Sequence, residues 1–257
     1  MTKDDYLQED HESYIKLINE SGYPIWISNY YEPLNYKKEN MKNTVELISH
    51  YGSDEIIALS AWTSTSRELN DEKRKRIPNL IKMLWKDGHE TPFEKGIVHF
   101  LVTCDIASHI HLLKHRIASI NAESARYKEL KEDKFYLPED WKAEGKQNWY
   151  DTLKIFTEKS NMLYHQCLED LTPVLGRKRA KESARFFKTY NSQITADVMF
   201  NMRSFANFIK LRNSEHSQVE IRDIAQQMWN LVENIENNPF KHTLDVIKEK
   251  IELTNIK

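Results

Sequence analysis

The sequence predicts an α+β protein, a helix-rich domain built on a small mixed or antiparallel sheet. Three observations predict it. Apolar residues recur at helical spacing over long stretches, most clearly in 214–235, where Ile221, Ile224, Ala225, Met228, Leu231, Val232 and Ile235 form one stripe. Segments 45–51 and 96–106 instead alternate apolar and polar residues, as strands do. Glycine is scarce, 6 in 257 residues and never in a G-x-G, which excludes a glycine-rich phosphate loop. A nucleotide or flavin, if held, must be held by side chains and helix ends.

Residues 1–43 read as an N-terminal extension, rich in tyrosine and acid, with aromatics that pack it; 44–257 read as the domain. VELISHY (45–51) is a half-buried strand, and 54–64 a short helix. ELNDEKRKRIPNLIKMLWKDGH holds a helix with Pro78 at or near its first turn and Gly88 just past its end. GIVHFLVTCDI (96–106) sets Val98, Phe100, Val102 and Cys104 on one face of a strand. Residues 107–116 return to helical spacing. A long helix runs through 148–171 and ends before Pro173, RKRAKESARFF (177–187) is another, and 214–235 is the clearest.

The charge balance, 37 Lys+Arg against 39 Asp+Glu, argues against a chain built to neutralise a nucleic-acid polymer. Two cysteines cannot build a disulfide framework or a Cys-rich zinc site. The N-terminus has no signal-peptide core, and the apolar run at 97–102 is too short to cross a membrane, so the expected location is cytoplasmic.

Three segments carry polar groups that chemistry could use. His111 and His115 stand four apart, a possible metal pair on one helix face, but Lys114 and Arg116 flank His115 and suit an anion better; no metal is expected. KHRIASINAESARYKEL (114–130) is poor in apolar residues. It reads either as a solvated, salt-bridged helix or as an anion pocket, with Ser124 and Arg126 on one phosphate and Lys114 to Arg116 on another. In 201–222, Arg203, Asn207 and Arg212 alternate with Phe205, Phe208 and Leu211, and His216 stands at the start of the next helix, where Asn213 or Ser214 can cap. HETPFEK (89–95) is a turn broken by Pro92, with His89, Thr91 and Glu94 as polar groups. KRKR (73–76) and RKRAK (177–181) are most simply solvated helix faces.

KHRIASINAESARY resembles the signature of the flavin-dependent thymidylate synthases, R-H-R-x-x-S-x-N-E-x-S-x-R-Y, with His115, Arg116, Ser119, Asn121, Ser124, Arg126 and Tyr127 in register. HETPFE is similar to that family's H-x-S/T-P-F-E turn, FYLP (135–138) to the segment after its signature, and residues 201–222 to its C-terminal block. The resemblance covers roughly residues 44–235.

The resemblance implies a homotetramer of small α+β domains with FAD at subunit junctions. It implies transfer of a one-carbon unit from 5,10-methylene-tetrahydrofolate to C5 of dUMP, with NADPH reducing the flavin. By residue, it implies a flavin or folate role for His89, Thr91 and Glu94, and flavin contacts for Lys114, His115, Arg116, Ile117, Asn201, Arg203, Asn207 and His216. Ser124, Ala125 and Arg126 fall on the nucleotide, with Arg185 as the second phosphate arginine. Arg212 falls against the pyrimidine carbonyl and N3, where a fixed cation makes C5 more nucleophilic. Arg212, Ser124 and His89 are the catalytic candidates.

Three positions depart from the pattern, mainly on the nucleotide side. Lys114 replaces an arginine and loses its planar fork. Ala122 stands where the family has Glu, with Glu123 one residue displaced, and His111 stands where it has Gln. Glu123 and His111 are both substrate-side candidates, and the unchanged spacing from Arg116 to Ser124 favours His111. Two other readings stay open: the same fold acting on UMP or hydroxymethylating dUMP, and a non-catalytic nucleic-acid or partner-binding helical protein using the two basic runs.

Overall fold

The computed structural model describes residues 42–255 apart from 67, 144 and 146. The expected extension, 1–43, lies almost wholly outside the described residues. In chain order the elements are β1 (Thr44–Tyr51), α1 (Asp54–Trp62), α2 (Asp71–Lys86), a 3-10 turn (Thr91–Lys95), β2 (Ile97–Asp105), α3 (Ile106–Leu113), β3 (Ser119–Ala122), α4 (Asp140–Ala143), α5 (Gln147–Leu175), α6 (Arg177–Ala184), a 3-10 turn (Arg185–Phe187), β4 (Gln193–Asn201), α7 (Met202–Arg212), α8 (Val219–Glu233) and α9 (Lys241–Asn255).

The four strands form one antiparallel sheet in the order β1-β2-β4-β3. Val98, Phe100, Val102 and Cys104 are fully buried on one face, as their alternation predicts, and Ala196, Val198 and Phe200 of β4 join them. Over that face α7 lays Phe205 and Phe208. Phe100 stacks on Phe205 at 5.9 Å between ring centroids, and Phe200 on Phe208 at 5.2 Å. The α8 stripe covers the same core through Ile221, Ile224, Ala225, Met228 and Val232. Separate small cores sit under α5 and α6 (Tyr164, Leu168, Ala180, Ala184) and around Phe135, Leu137 and Tyr150.

Several elements differ from expectation, each for a local reason. Pro78 lies in the interior of α2, not its first turn: the helix starts at Asp71 under the side-chain cap of Asn70. Ile77, Ile81 and Leu84 bury as one stripe and carry the helix past the hydrogen bond proline cannot make. Likewise α5 passes through Pro173 to Leu175. Only 177–184 of RKRAKESARFF is α-helical; the chain tightens to 3-10 at Arg185. Segment 114–130 is not a helix. It is a crossing into β3 followed by turns, because Ser119–Ala122 pair with β4 across Ala196–Met199. β4 and α9 went unread in the sequence.

No described helix is long and apolar enough to cross a membrane.

Candidate functional site

The 91–95 turn is pinned in two ways. Phe93 is buried edge-on to Trp85 at 5.0 Å. Gly96 then meets the start of α7: its carbonyl accepts from the Met202 N–H at 2.9 Å, and a Cβ at Gly96 would lie 2.7 Å from Met202 Cγ and 2.8 Å from Phe240 Cε1. Only glycine permits that approach. Before the turn, Gly88 (φ 73°) closes α2, with the His89 N–H donating to the Leu84 carbonyl.

Asn201 caps α7, its side-chain oxygen accepting from the Ser204 N–H at 2.8 Å. That sets Arg203 in the first turn, where it reaches back to the pinned turn. Its Nε donates to Glu90 at 3.1 Å and its Nη1 to Glu94 at 2.7 Å, and both bonds hold the guanidinium more firmly protonated. One and two turns on, Asn207 and Leu211 follow on the same side, with Arg212 beside them.

From the other side comes the segment after α3. The helix ends at Leu113 and the His115 N–H closes onto the Leu112 carbonyl. His111 and His115 therefore do not share a helix face: His111 is helical and bonded to Gln218 at 3.2 Å, whereas His115 lies beyond the end and turns to α7. Arg212 Nε donates to His115 Nε2 at 2.9 Å, and the ring packs edge-on against Phe208, 4.9 Å between centroids. Burial first, then the charge of Arg212, then His111, lower the His115 pKa from 6.5 to about 4. The ring is neutral at pH 7.

Together these elements enclose a hollow of about 400 Å³. Of the residues expected at a flavin site, it brings together Glu94, Lys114, His115, Arg116, Ile117, Arg203 and Asn207, with Arg212. Glu90, Ser204 and Leu211 line it too. Sequence reasoning missed these three, although Ser204 and Leu211 adjoin expected residues; Glu90 carried no signal, since only the fold sets it against Arg203. His89, Thr91, Asn201 and His216 stay outside the lining. His216 is not at a helix start: α8 begins at Val219, and His216 sits in the preceding turn, its N–H on Ser214 Oγ. Asn213 is instead the end of α7.

The nucleotide-side residues gather elsewhere. Arg126 Nε donates to Glu182 of α6 at 2.8 Å, and Ser124 Oγ accepts from the Arg126 N–H at 3.3 Å. The exposed Arg185 follows Glu182 by one turn. Glu123 takes another direction, one oxygen on the Thr195 N–H at 3.0 Å and the other on Lys128 at 2.5 Å. Ala125, in the turn after Glu123, is half-buried. None of these lines the hollow beside His115.

The hollow has the character of an anion and flat-ring site. Four cations line it against two carboxylates, and Arg203 occupies both carboxylates. Among the described residues Lys114 and Arg116 have no ion-pair partner. Ile117, 72 % exposed, and Leu211 add apolar surface. This donor set fits a dinucleotide bound through its phosphates without a glycine loop. A cysteine nucleophile has no place here: burial raises the thiol pKa of both Cys104 and Cys167, and neither lines the hollow.

Comparisons with known proteins identify the family. The sequence model of the family described as thymidylate synthase complementing protein matches residues 46–236. The flavin-dependent thymidylate synthase of Pseudothermotoga lettingae is 36% identical over 184 residues, which cover 70% of this chain and 80% of that one. That of Tropheryma whipplei is 31% identical over 187 residues, 66% and 76% of the two chains. Among solved structures, the UMP/dUMP methylase PolB from Streptomyces cacaoi, bound with 5-Br dUMP, superposes with a TM-score of 0.68 at 26% identity, covering 81% of this chain and 95% of that one. The chain belongs to the thymidylate synthase complementing protein family, the family of the flavin-dependent thymidylate synthases.

Proposed function

We propose that the protein transfers a one-carbon unit from 5,10-methylene-tetrahydrofolate to C5 of dUMP, with FAD as cofactor and NADPH as reductant, giving dTMP. One observation carries the reading: Lys114, His115, Arg116, Arg203 and Arg212, drawn from two distant segments, converge on one cationic hollow. FAD bound here and reduced by NADPH would supply the hydride that turns the transferred methylene unit into a methyl group. Lys114 and Arg116 hold its phosphates, and Arg203, braced by Glu90 and Glu94, closes the wall. Arg212 presents donors only, so it favours a uracil carbonyl and a deprotonated N3 over the amino group of cytosine. By favouring the ring deprotonated at N3, the cation stabilises an anion whose negative charge is shared with C5.

Ser124, Arg126 and Arg185 take the nucleotide phosphate. They cluster around α6 rather than in the hollow, which supports a site completed between subunits of a homotetramer, with each subunit giving one half to two different sites. His89, Thr91, Asn201 and His216 belong to the flavin or folate side of such a junction. The reaction draws on reduced nicotinamide and folate, and its place is the cytoplasm. No nucleic-acid polymer is a partner in this reading. Both basic runs spend charge internally, through Arg74 on Glu55, Arg177 on Glu129, and Arg179 on Glu182.

A second reading keeps the chemistry and admits UMP. It is favoured by the structural similarity to PolB, a UMP/dUMP methylase, and by the departures at His111, Lys114 and Ala122. The test is to incubate the FAD-loaded protein with NADPH, methylene-tetrahydrofolate and, separately, dUMP, UMP and dCMP, and to weigh the products. Methylated dUMP with dCMP untouched is expected. A hydroxymethyl product, or equal turnover of dCMP, contradicts the reading.

A further inference from the structure

We infer that His115 is a positioning residue for Arg212: its ring accepts from Arg212 Nε–H and so fixes the direction in which the guanidinium offers its remaining donors to the uracil. The inference rests on the substrate role proposed for Arg212 and adds a job for the histidine beyond any contact with the flavin.

The bond is short, 2.9 Å, and it specifies a tautomer. Nε2 can accept only if it carries no proton, so the neutral ring holds its proton on Nδ1. Phe208 and Arg212 stand one turn apart on α7, and the ring touches both: edge-on to the phenyl at 4.9 Å and bonded to the guanidinium. Phe208 is fully buried and stacked on Phe200 of β4, so the imidazole is seated on the rigid core rather than on a loop. Among the described residues, His115 is the one hydrogen-bond partner of the Arg212 side chain.

The choice of partner matters. Arg203, in the same hollow, is held by two carboxylates, which orient it and cancel its charge. A neutral imidazole orients Arg212 and leaves its full charge available to negative charge developing on the pyrimidine. The surroundings keep the ring in that state. Arg212 faces it from α7 and His111 from α3, Lys114 and Arg116 flank it in sequence, and the hollow's carboxylates, Glu90 and Glu94, are bound to Arg203.

Two variants and one spectrum test this. Assayed at saturating FAD with dUMP, His115→Leu removes the acceptor; kcat should fall about 10- to 100-fold with a smaller change in KM, as for a mis-aimed catalytic group. His115→Gln restores an acceptor oxygen and should recover most of that loss, which a merely space-filling role would not do. Independently of turnover, nitrogen NMR of the folded protein at neutral pH should show His115 protonated on Nδ1, and Arg212→Leu should raise its titration midpoint. Equal kcat in the Leu and Gln variants, an Nε2-protonated ring, or a midpoint indifferent to Arg212 overturns the inference. A wild-type enzyme that turns over no uracil nucleotide instead overturns the functional reading beneath it.

Discussion

Arg212 and Arg126 both fall on the nucleotide by resemblance to the family, yet the fold handles their charges in opposite ways. Arg212 leans on a neutral imidazole inside a hollow and stays uncompensated. Arg126 lies exposed at a turn and is bound to Glu182, whose own pKa that bond lowers. Uncompensated charge belongs where charge must be stabilised during a reaction, and compensated charge suffices where a dianionic phosphate can compete for a surface arginine. On the proposed function, the contrast separates a chemical half, built on α7 and the segment after α3, from an anchoring half built on α6 and the turn after β3.

Substitutions that hit one half should spare the other. The largest effect is expected from Arg203→Ala, which leaves Glu94 without its cation and Glu90 with Lys250 alone, 3.7 Å away, facing an anionic cofactor. FAD affinity, read by flavin fluorescence on titration, should fall at least about 30-fold, or about 2 kcal/mol. Arg126→Gln should do the reverse: FAD affinity unchanged, and nucleotide affinity weaker by about 10-fold, the scale of one charge-assisted bond. If each variant loses both ligands equally, the division into halves is wrong.

A pH series separates the halves again. Between the ordinary histidine value of 6.5 and about 4, the unfolded chain binds a proton that folded His115 refuses, and burial lowers His109 in the same direction. The unfolded state therefore binds more protons in that window, so stability is full above it and is lost as pH falls through it. Melting temperature should drop from about pH 7.5 to about pH 5, and His115→Leu should flatten that dependence. The smallest effect is expected from Glu182→Gln. Its pair with Arg126 lies at the surface, so its removal should leave the midpoint of denaturant unfolding nearly unchanged.

Much of this was legible in the residues. The alternation of 96–106 and the stripe of 214–235 foretold the sheet face and its covering helix, because burial imposes those periods directly. The lining of the hollow was legible in part: Glu94, Lys114, His115, Arg116, Ile117, Arg203 and Asn207 sit in three short motifs that the fold brings together, whereas His89, Thr91, Asn201 and His216 of the same expected set stay outside it. The rest depended on long-range pairing. The signature around Ser119–Ala122 looks like polar helix until β4 is there to pair with it. β4 itself, QITADVMFN, has Asp197 on its outer face and a polar start, which weakens its own pattern. Glu90 and Arg203 stand over a hundred residues apart, and no local pattern joins them.

The central claim is that the two halves complete one site across a subunit boundary, and complementation tests it most directly. Assayed at FAD and dUMP concentrations that just saturate the unsubstituted protein, Arg203→Ala and Arg126→Gln homo-oligomers should each be poorly active. Co-expressed with distinct tags and purified through both, the mixed oligomers contain junctions where an intact chemical half meets an intact anchoring half. The account predicts that these mixed oligomers regain activity well above either parent. Mixed oligomers no more active than the parents would contradict it, and would place both halves within a single chain.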